Sequence, residues 1–118
     1  MVKGEYIMRK ETRKQFVVGK DYTDEFVELH KGDIVQILPI EFFDETDSSY
    51  RDMLINNDLD PSLHVDVTFY TVEEFKKIFS TNGQFTEIYS TPVCVYDLPA
   101  MFFDLGVKIK NITVEIPD

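Results

Sequence analysis

The sequence predicts an α+β domain: a curved antiparallel sheet or small open β-barrel, with helices at 48–56 and 71–80 covering one side. Three observations lead there. Segments with apolar residues at alternate positions outnumber those with a 3.6-residue period. Most are short and bounded by Gly, Pro, Asn or Asp, which turn a chain. One segment, 71–83, carries a full set of helix start and stop signals. The 118 residues fit a single domain, 1–118. At that length a core can bury roughly two-thirds of the unfolded surface without a disulfide.

Residues 4–10 and 14–19 read as the two strands of an N-terminal basic β-hairpin (4–19), with the charges of Lys10-Glu11-Thr12-Arg13 at its tip. The segment DYTDEFVEL, 21–29, is expected to form a helical turn. His30-Lys31-Gly32-Asp33 reads as a turn leading into a strand at 33–38. Pro39, which has no N–H for a ladder, ends that strand. The stretch KGDIVQI, 31–37, is similar to the turn-and-strand found in many small β-barrel modules.

Asp47 or Ser48 can cap a helix over 48–56, with Tyr50, Met53 and Leu54 on one face. Asn56-Asn57-Asp58 stops it. Residues 63–70 alternate, placing Leu63, Val65, Val67 and Phe69 on a buried side and His64, Asp66, Thr68 and Tyr70 on an exposed one. In TVEEFKKIFSTNG, Thr71 is the N-cap, Glu74 completes a capping box, and Val72, Phe75, Ile78 and Phe79 form the buried stripe. Strands are expected near 84–90 and 92–96, followed by a Pro-interrupted aromatic segment, LPAMFFDLG. In the last strand, 107–117, Val107 and Ile109 have one parity while Ile112, Val114 and Ile116 have the other. A β-bulge near Asn111 would return all five to one face.

Charge is unevenly distributed. Residues 1–20 carry Lys3, Arg9, Lys10, Arg13, Lys14 and Lys20 against Glu5 and Glu11, a net of +4, within a chain of net −10. The remainder therefore carries −14. Such a body repels nucleic acid and anionic membrane and attracts basic protein surfaces. No apolar run approaches the ~18 residues of a membrane span. The single cysteine, Cys94, forms no intrachain disulfide, and a cytoplasmic location is expected.

Motifs for common chemistries do not occur: no P-loop, dinucleotide-binding Gly pattern, HExxH, GxSxG or CxxC. Two His and one Cys leave hydrolytic or redox catalysis to carboxylates alone. A glycosidase built on carboxylates needs an aromatic cleft, usually including Trp, and the chain has none. Asn56, Asp58 and Asp60 alternate, but an EF-hand would need a central Gly and a Glu at its twelfth position. His64-x-Asp66 supplies two groups where a metal site needs a third. No metal, no cofactor and no enzymatic activity are expected.

What remains is a binding face. In EFFDETDSSYRDMLINNDLD, 41–60, seven of twenty residues are acids and only Arg51 opposes them. Glu41, Phe42, Phe43, Asp44, Glu45, Asp47, Tyr50, Asp52, Asp58 and Asp60 combine carboxylates with aromatic anchors, as a face for a basic partner requires. Short acidic elements can space charges like phosphates, about one per 1.7 Å of duplex. Size, charge and the lack of catalytic motifs resemble, as a class, phage or mobile-element inhibitors that occupy the basic groove of a nucleic-acid-handling protein. The alternatives are a small bacterial accessory interaction module, or nucleic-acid binding through a second surface, Arg9, Lys10, Arg13 and Lys14. The hairpin edge also suits a homodimer.

Overall fold

The computed structural model describes residues 8–40, 52, 55–58, 60–80 and 84–117. Seven strands are present among them: β1 (Met8–Val17), β2 (Tyr22–Thr23), β3 (Glu28–Leu29), β4 (Ile34–Pro39), β5 (His64–Tyr70), β6 (Tyr89–Cys94) and β7 (Lys108–Pro117). Five form an open antiparallel sheet in the order β6-β5-β4-β1-β7, and β2 and β3 pair separately. The sheet does not close into a barrel. Two helices are described in full, α1 (Val72–Lys77) and α2 (Leu98–Leu105). No helix among the described residues is long and apolar enough to cross a membrane.

The alternation of β4 and β5 creates two cores, one on each face. Val35, Val67 and Phe69 join Val18, Leu29 and Leu105 on one side, under α2. Ile34 and Tyr70 join Val17, Phe75 and Val114 on the other, under α1. The helices described in full thus cover opposite faces of the sheet. The expected exposed face of 63–70 is correspondingly absent. Asp66, Thr68 and Tyr70 are buried, because β5 is an interior strand with both faces covered. Asp66 is satisfied there by Thr68 Oγ1 at 2.6 Å and Ser90 Oγ at 2.9 Å.

The expected hairpin tip at 10–13 lies inside a strand. β1 runs unbroken from Met8 to Val17 and pairs in continuous register with β7, from Met8↔Pro117 to Val17↔Lys108. No bulge interrupts the ladder at Asn111. The two parities of β7 serve opposite faces: Ile112, Val114 and Ile116 enter the α1-side core, and Ile109 pairs with Phe16 on the other side. β1 meets β4 only at Phe16↔Val35 and Val17↔Ile34. Its remaining eight residues form a two-stranded ribbon with β7, about 27 Å long.

Helix α1 starts as its sequence dictates, with Thr71 Oγ1 accepting the Glu74 amide at 3.2 Å. The Glu74 carboxylate does not close a capping box. It accepts the Thr86 amide at 2.8 Å and pairs with Lys77, pinning the segment after the helix. Residues 84–88 are not a strand; β6 begins at Tyr89, and Val95–Asp97 is a 3-10 turn. LPAMFFDLG is α2, with Pro at its start and Gly106 at φ 59° as its left-handed C-cap. In the 48–56 region, Asp52, Ile55 and Asn56 are helical, and Asp58 at φ 59° follows them. The rest of that expected helix lies outside the described residues.

Candidate docking site

The segment 21–29 is a hairpin, not a helical turn. Asp24 explains why: its Oδ1 accepts the amides of Phe26 (2.7 Å) and Val27 (2.9 Å), and its Oδ2 accepts the Tyr22 hydroxyl at 3.0 Å. A side chain that replaces backbone acceptors in this way favours a turn over a helix. These bonds hold the Asp24 carboxyl below its ordinary pKa, the Phe26 amide contributing most. The Tyr22 hydroxyl is raised, first by its hydrogen bond to Asp24 and further by the nearby charge of Asp104.

That last effect joins the hairpin to α2. Between them and the sheet lies an open cavity of about 390 Å³. Leu29, Phe69 and Leu105 belong to the core beneath it; Val27, Tyr89 and Met101 form apolar walls; Tyr22, Asp24, Asp97 and Asp104 add hydroxyl and carboxylate groups. Three carboxylates and no Lys or Arg line it. Helical periodicity builds the α2 side. Asp97, Ala100, Met101, Asp104 and Leu105 fall on the i, i+3, i+4, i+7, i+8 stripe.

The three most exposed large hydrophobic side chains of the described residues are Phe26 (73% exposed), Tyr96 (77%) and Phe103 (82%), in the hairpin, before α2 and in α2. Tyr96 adjoins Asp97, Phe103 adjoins Asp104, and Phe26 lies two residues from Asp24. The arrangement can bind a basic, partly apolar surface: carboxylates select charge while exposed rings supply area.

The acidic stretch singled out from sequence is only partly placed. Glu41, Phe42, Phe43, Asp44, Glu45, Asp47 and Tyr50 lie outside the described residues. Asp52, Asp58 and Asp60 are exposed. Asp60 is engaged locally, accepting the Ser62 hydroxyl at 2.7 Å and its amide at 2.9 Å, and its carboxyl is lowered chiefly by that hydroxyl. Among the described residues no three His, Cys, Asp or Glu side chains could jointly hold a metal ion. His64 Nδ1 lies 2.7 Å from the Asp60 carbonyl, and Cys94 is a half-buried free thiol at the end of β6.

The basic cluster is divided by strand alternation. Lys10 and Lys14 lie on the exposed face of the ribbon with Thr12, Asn111, Thr113 and Glu115. Arg9 and Arg13 lie on the other, with Glu11 between them at 3.8 Å and 2.9 Å. The Arg13 guanidinium also stacks over Phe79, 4.6 Å from the ring centre. Two of the four bases are thus occupied within the fold, and the four do not form one patch.

Sequence reasoning missed Asp24, Asp97 and Asp104, separated by some seventy positions along the chain. The signal for α2 was present: Leu98, Met101, Phe102 and Leu105 at helical spacing, Pro99 at the start and Gly106 at the end. Comparison with protein families, characterised proteins and solved structures finds no match to this chain.

Proposed function

We propose that this protein is a non-enzymatic interaction domain that docks on a basic surface of another protein through the face formed by the β2–β3 hairpin and α2. The observation that carries the reading is an open cavity whose lining joins apolar walls to three carboxylates and no Lys or Arg, with Phe26, Tyr96 and Phe103 exposed at nearby positions of the chain. Solvated acids alone would serve solubility. Acids interleaved with rings that are more than 70% exposed present contact area that the fold itself does not use. The net charge of −10 favours fast, salt-sensitive encounter with a basic partner. The acids of 41–60 add to the net negative charge, and a groove that ordinarily holds nucleic acid is the densest basic surface such a charge could meet. Occupying that groove, as an inhibitor would, is the strongest form of the reading.

Binding to an immobilised poly-L-arginine surface tests it. The Asp24→Asn/Asp97→Asn/Asp104→Asn variant should associate more slowly and with a flatter salt dependence than the wild type. Glu73→Gln/Glu87→Gln/Glu115→Gln, which removes equal charge elsewhere, should change association less. Equal losses in the two variants would show that net charge acts without a docking face.

A further inference from the structure

We propose that the cavity between the β2–β3 hairpin and α2 receives one arginine side chain of the docked partner. This deepens the docking reading and rests on it. Three features of the cavity select that group. Its volume, about 390 Å³, lies near the lower end of ligand sites and suits a single long side chain better than a folded segment. Its apolar walls match an aliphatic stem, and its lining includes two aromatic residues, Tyr22 and Tyr89, of the kind a guanidinium packs against. Its charged lining is entirely carboxylate, which a planar guanidinium can engage in bidentate fashion.

Two of those carboxylates are placed against the local preferences of their helix. Asp97 occupies the N-cap position of α2, yet its side chain caps no amide. Asp104 sits in the last turn, where the helix dipole disfavours negative charge, and no basic residue shares that turn. Neither makes a hydrogen bond or ion pair among the described residues. Groups that break local rules without a compensating contact are expected where a binding function needs them. Asp24, by contrast, is fixed by three hydrogen bonds and held ionised, giving the cavity one rigid carboxylate and two free ones.

The test is an NMR titration of the whole protein with acetyl-Gly-Gly-Arg-Gly-Gly-amide. Saturable shifts are expected at Tyr22, Ala100 and Asp104. The peptide with citrulline, a neutral isostere of arginine, should bind ~tenfold or more weakly, as loss of charge-assisted hydrogen bonds implies. Asp97→Asn/Asp104→Asn should show the same loss while melting at the same temperature or slightly higher, since neither side chain is bonded within the fold. Equal binding of the citrulline peptide would overturn the proposal, as would shifts that spread over the acidic surface without saturating. Tighter binding of free agmatine than of the peptide would also overturn it, by assigning the cavity to a small amine. Salt-dependent poly-L-arginine binding that persists without cavity shifts would defeat this inference and leave the docking reading standing.

Discussion

Asp24 shows how one side chain can override a segment's apparent preference. DYTDEFVEL has no clear period, so sequence reasoning had only composition to use. Three hydrogen bonds to one carboxylate decide the hairpin. Ser/Thr/Asp capping of this kind is legible when a strong helix follows, as at Thr71, and nearly silent when strands of two residues flank it. The same scale governs acid sensitivity. Glu74 is held below its ordinary pKa, chiefly by Lys77 and then by the Thr86 amide. A depressed carboxyl adds stability above its unfolded pKa, near 4.3 for Glu, and loses it as pH falls through the folded value. Wild type is therefore expected to exceed Glu74→Gln in denaturation midpoint at pH 7, with a smaller difference at pH 3. An equal difference at both pH values would contradict this.

Elements with strong alternation or clean caps, β4, β5 and α1, were legible. β1 was not, because what makes it a strand is a partner about a hundred residues away in sequence. Its charges at 10–13 resemble a tip only while β7 is unseen. The phase slip of β7 was visible but misread. It reflects a strand with a different apolar contact on each face, not a bulge. The junction that carries α2 back to β7 is equally hidden. Gly19 donates its amide to the Leu105 carbonyl at 2.9 Å, and a Cβ on Gly19 would lie 1.9 Å from the Gly106 carbonyl oxygen. Backbone against backbone has no side chain to yield. Gly19→Ala should destabilise the protein by about 2 kcal/mol or more, the range of overpacked cores, read as a lower urea midpoint at unchanged slope. A wild-type midpoint would show that the crossing is not this tight. Because this crossing anchors the end of α2, the variant should also weaken binding at the cavity.

For the whole molecule, charge and topology act together. Among the described residues, the alternation of β1 divides Arg9, Lys10, Arg13 and Lys14 between two faces, sending Arg13 onto Phe79 and leaving Lys10 and Lys14 outside. The outer strands of the sheet are β6, which carries Pro92 as a guard against edge pairing, and β7, which has no such residue until its last position. Self-association is accordingly expected through β7 if it occurs, rather than through an N-terminal hairpin. We predict a dimer that survives from 0.1 M to 1 M salt in sedimentation at tens of micromolar, because strand pairing is not screened as charge docking is. A monomer at both salts contradicts it, and dissociation only at 1 M would assign the contact to charge. None of the residues lining the acidic cavity belongs to β7, so a dimer through that strand would carry two copies of it. The net negative charge was legible in the sequence, but the acidic cavity was not, since Asp24, Asp97 and Asp104 come together only when α2 folds beside the hairpin.

The central claim, that this face docks on a basic protein surface, is tested most directly by a photo-crosslinking residue at Ala100, an exposed residue lining the cavity, set against the same residue at Thr113 on the ribbon. In lysate, the probe at Ala100 should capture one dominant protein through an Arg- and Lys-rich segment. That capture should be lost with Asp24→Asn/Asp97→Asn/Asp104→Asn and weakened at 1 M salt. Capture of nucleic acid, or equal capture of the same protein from Thr113, would contradict the account.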